Sequence, residues 1–310
     1  MIITLTLNPA IDKTIQVHNF TVGKVNRITD NYQMEVGGKG INVSKVLKEL
    51  GTSSKAIGIV GGENGEIIKK DLEEKQINYE FVDGMINTRM NLKIVDPDNQ
   101  ITTEINEFGG PYDPYVYLKL KEVLCINISK DDIVILAGSM PKGTDPHYYM
   151  ELISICKKKG AKVYLDMDGE LLKNAIDLKP HVIKPNLSEL ESMYHKTFES
   201  KKDIISAAIS ILLSGVETVI ISMGADGALF VRKDKIISAS GLKVRVGSTV
   251  GAGDSMIAAF AYGEERALSF MECAKLSLAT SGAKVMLNGT AVPTWDQIEE
   301  LLPKVIVEEL

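Results

Sequence analysis

The sequence Ile2-Ile3-Thr4-Leu5-Thr6-Leu7 is a short apolar run that stops at Asn8-Pro9. Such a run predicts a buried strand, and similar runs recur along the chain between stretches with helical periodicity. Strands that alternate with helices favour an α/β fold, in which helices cover both faces of a mostly parallel sheet. Further strands are expected at 56–60, 133–137, 162–165, 182–183 and 218–222, and helices at 42–50, 66–75, 115–125, 147–159 and 202–213.

Two regions interrupt this alternation. Residues 14–34 contain no convincing helix, and 14–17 and 27–34 favour β structure. Residues 91–95 and 101–107 flank a turn-rich stretch, which predicts a hairpin. These strands either form a small second sheet or are long surface loops. We expect one α/β domain over 1–310, with the excursion at about 13–35 and 89–108 acting as a lid.

The composition excludes several classes of protein. The 310 residues carry 35 Lys and Arg against 41 Asp and Glu, a net charge of -6, which disfavours a nucleic-acid binder. The cysteines, Cys125, Cys156 and Cys273, are too far apart for a metal motif or a disulfide framework. The four histidines are also scattered, which disfavours a zinc site. We expect reduced thiols, a cytoplasmic location, no signal peptide and no membrane span.

The strongest motif is Val246-Gly247-Ser248-Thr249-Val250-Gly251-Ala252-Gly253-Asp254-Ser255, which precedes a helix-like run at 256–262. Small residues at a helix start leave backbone N–H groups open, and the helix dipole adds positive potential. The turn therefore suits an anion such as a transferring phosphoryl group. Asp254 could simply cap the helix. A carboxylate beside an anion site is unfavourable unless it does chemistry, and accepting a proton from an attacking hydroxyl is the obvious task.

A second glycine-rich segment is Val36-Gly37-Gly38-Lys39-Gly40-Ile41-Asn42-Val43. It is not a P-loop, since Ile41 follows Gly40, and the first strand is not followed by dinucleotide-binding glycines. The segment could be only a tight strand-to-helix turn. Alternatively, Lys39 and Asn42 suit a phosphorylated sugar, the first as a cation for the phosphate and the second as an amide for the hydroxyls.

Two isolated charged residues are further candidates. Asp12 lies just past the first strand, at the edge where open parallel sheets bind ligands, so its carboxylate could accept hydrogen bonds from sugar hydroxyls or merely form a turn. Arg89 precedes the predicted hairpin, and an isolated arginine is usually a solvated surface residue.

Two segments after strand-like runs each allow two interpretations. In Lys184-Pro185-Asn186-Leu187-Ser188-Glu189, the spacing of Asn186 and Glu189 fits a capping box or a water-mediated Mg²⁺ site. Ser222-Met223-Gly224-Ala225-Asp226-Gly227 could be a hairpin turn, or its small residues could let a nucleotide lie against the backbone.

Together these segments resemble the PfkB (ribokinase-like) family of sugar kinases, from Leu5 to Thr290. The stretches 37–47 and 250–255 resemble the family's N-terminal and C-terminal signatures. Stretches 8–12, 37–40, 88–93, 103–107 and 137–141 resemble the branch that acts on hexose phosphates. The resemblance implies a ribokinase-like fold with a small β-sheet lid that closes over the sugar and packs against its mate in a homodimer.

The resemblance also implies roles for individual residues. Asp254 would be the catalytic base, and Gly251, Ala252 and Gly253 the anion hole. Asp12, Gly38, Lys39, Asn42 and Ser139 would line the sugar site, with Arg89 on the substrate phosphate. Lys184, Asn186, Ser222, Gly224, Gly227 and Ser248 would contact the nucleotide, and Asn186 and Glu189 would order Mg²⁺ through water. Residues 279–288 would form the adenine-side wall, and Lys24 or Arg27 would reach a neighbouring subunit's phosphate.

The implied activity is ATP-dependent, Mg²⁺-assisted phosphorylation of a ketohexose phosphate. Fructose 1-phosphate is the first candidate substrate and tagatose 6-phosphate the second, and no physical argument separates them. The cations Lys39 and Arg89 disfavour an unphosphorylated sugar. A non-catalytic sugar-phosphate-binding regulator is the alternative from another class, and Asp254 with the two glycine-rich segments argues against it.

Overall fold

The computed structural model describes residues 1–28, 32–167 and 169–310. In these parts of the chain the strands are β1 Ile2–Thr6, β2 Ala10–Gln16, β3 Tyr32–Gly37, β4 Ser54–Val60, β5 Asn78–Asp83, β6 Met90–Asp96, β7 Ile101–Asn106, β8 Ile133–Ala137, β9 Lys162–Asp166, β10 Val182–Ile183, β11 Thr218–Ser222, β12 Gly227–Arg232, β13 Ile236–Ser240 and β14 Val307–Glu309. The helices are α1 Lys39–Glu49, α2 Gly62–Glu74, α3 Pro114–Asn127, α4 Pro146–Lys158, α5 Gly169–Ile176, α6 Leu187–Tyr194, α7 Lys201–Leu213, α8 Ala252–Glu265, α9 Phe270–Val285 and α10 Trp295–Leu301.

The large sheet has the strand order β14-β13-β12-β11-β10-β9-β8-β1-β4-β5. Neighbouring strands pair in parallel over the part of this order that contains β11, β10, β9, β8, β1, β4 and β5. Strands β12, β13 and β14 add antiparallel pairs at one edge. All five residues of β1 are buried, as its continuous apolar run predicts for a central strand. The predicted mostly parallel α/β fold is therefore confirmed.

Helices cover both faces of this sheet. One apolar core contains Leu120, Leu152, Leu190 and Ala208, from α3, α4, α6 and α7. The opposite core contains residues of α1, α8, α9 and α10, with Phe260 at its centre against Tyr164 and Phe230. Sequestering apolar side chains from water on both faces supplies most of the stability of such a sheet.

A smaller sheet stands apart from the large one, with the strand order β3-β2-β6-β7. Strands β6 and β7 form the predicted hairpin, paired from Asn91 opposite Asn106 to Asp96 opposite Ile101. Strand β3 covers only the end of the expected β segment at 27–34, part of which lies outside the described residues, as does part of the excursion at 13–35. Strand β2 begins only a few residues after β1 ends. The small sheet is therefore attached beside the carboxyl edge of the large one.

Several elements are not indicated by the sequence pattern, among them β5, α9 and α10. Strand β5 was not predicted, because its residues are only half-buried and its apolar pattern is weak. Helix α9 begins at a capping box, in which Ser269 and Glu272 exchange side-chain and backbone hydrogen bonds.

Within the described ranges, no helix combines the length and apolar character that crossing a bilayer requires.

Candidate active site

The predicted site residues converge on one cavity at the carboxyl edge of the large sheet, beneath the small sheet. Its volume is about 1320 Å³. The cavity is lined by the predicted residues Asp12, Gly38, Lys39, Asn42, Arg89, Ser139, Lys184, Asn186, Glu189, Ser222, Gly224, Gly227, Gly251, Ala252, Gly253 and Asp254. Ser248 is not among the lining residues; its Oγ accepts a hydrogen bond from the Val250 N–H at 3.2 Å.

Asp254 occupies the first turn of α8, at the floor of the cavity. The helix is preceded by Gly251, whose φ of 78° lies in the left-handed region that glycine adopts without steric cost. The Ala252 N–H makes a long 3.3 Å bond to the Thr249 carbonyl, and the other N–H groups of the first turn have no preceding turn to bind. The helix therefore presents positive potential to the cavity beside an acidic side chain.

The environment of Asp254 favours a proton acceptor that works near neutral pH. The carboxylate is 5% exposed, and Oδ2 accepts a 2.8 Å hydrogen bond from Asn42 Nδ2. Burial, reinforced by the negative charge of Asp166, raises the pKa of Asp254 to about 6, while the hydrogen bond from Asn42 opposes that rise. Asn42 Oδ1 is buried and has no hydrogen-bond partner among the described residues, so it is available to a ligand hydroxyl.

Asp166, at the end of β9, brings the two predicted phosphate-binding lysines together. Lys39 Nζ lies 3.1 Å from Asp166 Oδ1, and Lys184 Nζ lies 3.1 Å from Asp166 Oδ2. Burial acts to raise the pKa of Asp166, but the two ammonium groups outweigh it and hold the pKa below its usual value. Lys184 also approaches the anion-binding turn, since a Cβ placed on Gly253 would lie 2.8 Å from Lys184 Nζ.

Asp12 faces the cavity from β2 of the small sheet. Its Oδ1 accepts a 2.7 Å hydrogen bond from Asn91 Nδ2 on β6, the residue directly opposite in the parallel register. Burial raises the pKa of Asp12, against the lowering effects of the Asn91 hydrogen bond and the Arg89 charge. Asp12 therefore lies where its carboxylate can accept hydrogen bonds from a ligand that the small sheet covers.

Arg89 is not the solvated surface arginine of the simpler interpretation. Its guanidinium donates to the carbonyls of Asn8 and Glu107 and to Asn91 Oδ1, at 2.9–3.2 Å. Burial lowers the pKa of Arg89, and nearby Asp12 opposes that change. These bonds fix the planar group at the cavity wall and occupy four of its N–H groups, so little of its hydrogen-bonding capacity remains for a ligand.

Asn8 ties together the loops around Phe108 and Ser139 at the cavity wall. Its Nδ2 donates to Phe108 O at 3.0 Å and approaches Ser139 Oγ at 3.3 Å. Its Oδ1 is buried and has no hydrogen-bond partner in the described parts of the chain. Ser139 is therefore held at the cavity from the end of β8, as expected for a parallel strand edge.

Asn186 and Glu189 form the capping box of α6. The Glu189 N–H donates to Asn186 Oδ1, and the Asn186 N–H donates to Glu189 Oε2, both at 2.8 Å. The box leaves Glu189 Oε1 free to face the cavity, so capping and a water-mediated metal role are compatible. The described residues contain no group of three or more His, Cys, Asp or Glu side chains that could enclose a metal ion.

The opposite side of the cavity has a flatter, more apolar wall. Ser222 ends β11, and the turn through Gly224 leads into antiparallel β12, so the predicted hairpin is present and also lines the cavity. Apolar side chains cover the wall beyond it, from the 242–246 segment, α8 and α9: Leu242, Val244, Val246, Met256, Leu278 and Val285. Leu278 and Val285 show that the wall extends along the α9 region expected near 279–288.

Asp166 and Asn8 line the cavity, and the sequence patterns did not indicate either of them as a site residue. Asp166 follows an apolar strand directly, which is the same signal that identified Asp12, so the pattern itself could have found it. Asn8 ends the first strand and belongs to the stretch 8–12, but no local pattern indicates its contacts with Phe108 and Ser139. The contact of Asn8 with Phe108 and that of Asp166 with Lys39 join residues 100 and 127 positions apart and have no local signature.

Comparisons with known proteins agree with this geometry. The model of the pfkB family carbohydrate kinases matches residues 5–297. The chain is 36% identical to a 1-phosphofructokinase of Bacillus subtilis and 30% identical to a tagatose-6-phosphate kinase of Staphylococcus epidermidis, with 100% of both chains covered in each case. It also resembles the crystal structure of Escherichia coli phosphofructokinase-2 in complex with substrates and products, with a TM-score of 0.92, 29% identity and 98% of each chain covered. The expected family is thus confirmed, and the chain belongs to the pfkB family of carbohydrate kinases.

Proposed function

We propose that this carbohydrate kinase transfers the γ-phosphoryl group of ATP to the free primary hydroxyl of fructose 1-phosphate, giving fructose 1,6-bisphosphate and ADP. The observation that carries the proposal is the position of Asp254: a buried carboxylate at the open N-terminus of α8, in the same cavity as Lys39 and Lys184. The full-length similarity to several 1-phosphofructokinases at 33–36% identity supports this sugar among the ketohexose phosphates.

The proposed chemistry uses two features of the first turn of α8, which are the Asp254 carboxylate and the backbone N–H groups before it. Asp254 accepts the hydroxyl proton as the sugar oxygen forms a bond to the γ-phosphorus and the bond from that phosphorus to the bridging oxygen of ADP breaks. The N–H groups at Gly251, Ala252 and Gly253 stabilise the charge on the equatorial oxygens. Oδ2 of Asp254 already accepts from Asn42, so Oδ1 is the oxygen left for the proton.

The sugar phosphate would lie between the small sheet and the large one. Asp12, Gly38, Asn42 and Ser139 face its hydroxyls, and Lys39 and Arg89 face its phosphate. A sugar without a phosphate would offer no anion to the positive charge of Lys39 and Arg89 in a partly desolvated cavity, which disfavours such a sugar. Because Arg89 is held by several backbone carbonyls, Lys39 would supply the more adaptable of the two contacts.

ATP would extend from Lys184 along the apolar wall. Ser222, Gly224 and Gly227 are proposed on the nucleotide side, with the apolar side chains around Leu278 and Val285 against the base. Ser248, which does not line the cavity, is proposed there as well. The residues present fit Mg²⁺: Asp166 Oδ2, which is ion-paired with Lys184, and Glu189 Oε1, which the capping box does not use, are both hard oxygen donors. Asn186 and Glu189 would hold the ion through water, and the bound ion would neutralise charge on the ATP phosphates.

Tagatose 6-phosphate is the second candidate substrate, because tagatose-6-phosphate kinases match the whole chain at 30% identity. The test is ADP release with MgATP and, in turn, fructose 1-phosphate, tagatose 6-phosphate, fructose 6-phosphate and fructose. We expect the highest kcat/KM with fructose 1-phosphate. A higher value with another phosphate would reassign the sugar, and no ADP release with any of them would reject the kinase proposal.

We also propose that the chain is one domain whose small sheet is a lid and dimer surface. Side chains on one face of that sheet alternate away from Asp12, and several are apolar and exposed: Met34 at 41%, Ile101 at 56% and Ile105 at 56%. Exposed Lys24 and Arg27 would reach a ligand phosphate in the partner subunit. A cytoplasmic location is proposed from the three free cysteines.

A further inference from the structure

A buried lysine lies behind the proposed anion-binding turn and is not among the residues that line the cavity. Lys284, in the last turn of α9, is only 3% exposed, although lysine is among the residues least often buried. Its Nζ donates a 2.8 Å hydrogen bond to the carbonyl oxygen of Gly289. Burying an ammonium group is costly, so its presence here needs an explanation beyond packing.

Lys284 contacts the turn that carries the proposed anion hole. A Cβ placed on Gly251 would lie 3.1 Å from Lys284 Cε, and the same point would lie 3.8 Å from Asp254 Oδ2. The residue after Lys284 binds the approach to this turn, because the N–H groups of Gly247 and Ser248 both donate to Val285 O, at 2.7 and 3.2 Å. The lysine stem therefore lies directly against the backbone whose N–H groups face the cavity.

The same lysine is connected to the small sheet through the loop after α9. Glu35, on β3, accepts a 3.1 Å hydrogen bond from the Thr290 N–H. Gly289 has a φ of 55°, and a Cβ on it would lie 2.2 Å from Glu35 Oε2, so only glycine lets the carboxylate approach this closely. Two adjacent residues of this loop are thus held from opposite sides: Lys284 binds the carbonyl of Gly289, and Glu35 binds the N–H of Thr290.

The charges around Lys284 agree with this arrangement. Burial lowers the pKa of Lys284, while the carboxylates of Glu35, on β3, and Asp254, on α8, oppose that change. By reciprocity, the ammonium favours the ionised form of Asp254, the form that a general base requires.

We infer that Lys284 is a positioning residue for phosphoryl transfer: it adds fixed positive charge behind the Gly251–Gly253 turn and, through residues 289–290 and Glu35, couples that turn to the small sheet. The inference rests on the proposed function and adds a residue to it. A simpler role is a helix C-terminal cap, since lysines commonly bind the last carbonyls of a helix. A cap of that kind would stabilise the fold without affecting catalysis.

Lys157 offers a matched control for the simpler role. It lies in the last turn of α4, donates to the carbonyls of Leu178 and Lys179, and is not among the cavity-lining residues. Lys157→Met and Lys284→Met each remove a carbonyl-bound ammonium and keep an unbranched stem. We expect Lys157→Met to lower Tm but to leave kcat and its pH profile unchanged.

For Lys284→Met we expect kcat to fall roughly tenfold with a smaller change in the KM of the sugar phosphate, because one contributor to charge stabilisation is lost. The acidic limb of the kcat/KM profile should also move to higher pH, because loss of the Lys284 ammonium raises the pKa of Asp254. The other charges that act on Asp254, those of Asp166, Lys39 and Lys184, are unchanged in this variant. A variant with wild-type kcat and an unmoved profile, and only a lower Tm, would overturn the inference.

Two further measurements keep the test decisive if Lys284→Met folds poorly. In Lys284→Ala, methylammonium chloride should restore part of kcat, whereas sodium chloride at equal ionic strength should not; equal effects of the two salts would count against the charge. Glu35→Ala should lower kcat, and its effect should be non-additive with that of Lys284→Met. An unchanged kcat in Glu35→Ala, or simple additivity, would reject the coupling to the small sheet.

The wild-type enzyme is measured first in the same ADP-release assay. No turnover with any ketohexose phosphate would reject the proposed function. Normal wild-type turnover with unaffected Lys284 variants would reject only the role of Lys284.

Discussion

The carboxylate of Asp254 accepts a 2.8 Å hydrogen bond from the side-chain amide of Asn42, 212 residues earlier in the chain. The pair joins the start of α8 to the start of α1, so each of the two glycine-rich segments supplies one of its members. The contact holds one carboxylate oxygen and leaves the other open to the cavity. A group held in this way can accept a proton from a ligand without first losing a partner.

Replacing Asp254 by Asn tests the proposed base most directly. The amide keeps the size of the side chain but cannot accept the proton, so kcat should fall by at least about a hundredfold. Binding of the sugar phosphate, measured by calorimetry, should remain within a few-fold of wild type, because other residues face its phosphate. Near-normal turnover in Asp254→Asn would remove Asp254 from this role.

The pH profile gives a second test of the same residue. Because burial raises the pKa of Asp254 to about 6, the fraction of ionised base, and with it kcat/KM, should decline as the pH falls below about 6. The hydrogen bond from Asn42 favours the ionised form, so Asn42→Ala should move this acidic limb to higher pH.

The matched control for that shift is Asn127→Ala. Asn127 also donates its amide, to Val123 O at 2.7 Å, but it lies on α3 and is not among the cavity-lining residues. Its profile should coincide with that of wild type. A limb in Asn42→Ala that stays in place or moves to lower pH would contradict the assignment.

Arg89→Ala should separate the two substrates. The variant removes the positive charge of Arg89 and the one N–H group that the protein does not bind; loss of a charge-assisted contact costs about 1.5–3 kcal/mol, so the KM of the sugar phosphate should rise by roughly 10- to 100-fold while the KM of ATP changes little. The residual rate with unphosphorylated fructose serves as the internal control, because it should be nearly unaffected. Equal increases in both KM values would indicate that Arg89 only supports the loops at Asn8 and Glu107.

Sequence patterns predicted the strands that are buried on both faces, such as β1, β8 and β11. A short continuous apolar run is typical of such a strand and leaves few alternative structures. They also placed Asp254 and Lys39 near glycine turns at the sheet edge, since the topology of a parallel sheet brings strand ends together. The pairing of Lys39 and Lys184 on Asp166 could not be predicted, because it joins three distant residues through geometry alone. Nor could the bonds that hold Arg89, since its main acceptors are backbone carbonyls and carry no residue signature.

The exposed apolar face of the small sheet predicts self-association. Ile105→Glu should weaken a dimer built on that face, because the carboxylate would be buried on association without a partner. Sedimentation velocity should show the wild type as a dimer and the variant as a monomer. Ile126→Glu is the control, since Ile126 is 80% exposed on α3, away from the small sheet. A monomeric wild type, or unchanged mass in Ile105→Glu, would count against this surface.

Gly37 controls the position of Asp12. Gly37 pairs with Ala10 in the β2–β3 register, on the same face of the sheet as Asp12, and a Cβ placed on Gly37 would lie 2.2 Å from Asp12 Oδ2. Asp12 must therefore rotate in Gly37→Ala, which costs the fold little because the end of a side chain can move. The displaced carboxylate would, however, no longer accept the hydrogen bonds from sugar hydroxyls that are proposed for it.

We expect Gly37→Ala to raise the KM of the sugar phosphate by roughly tenfold, the effect of about one lost hydrogen bond to a charged group, with Tm nearly unchanged. Gly169→Ala is a suitable control, because its nearest non-local atom lies 4.0 Å from the added Cβ and it does not line the cavity. Steady-state kinetics and thermal melts of both variants make the comparison. If Gly37→Ala keeps the wild-type KM while a crystal structure shows Asp12 rotated, the carboxylate does not contact the sugar, and the contribution of the small sheet to sugar binding would have to come from other residues.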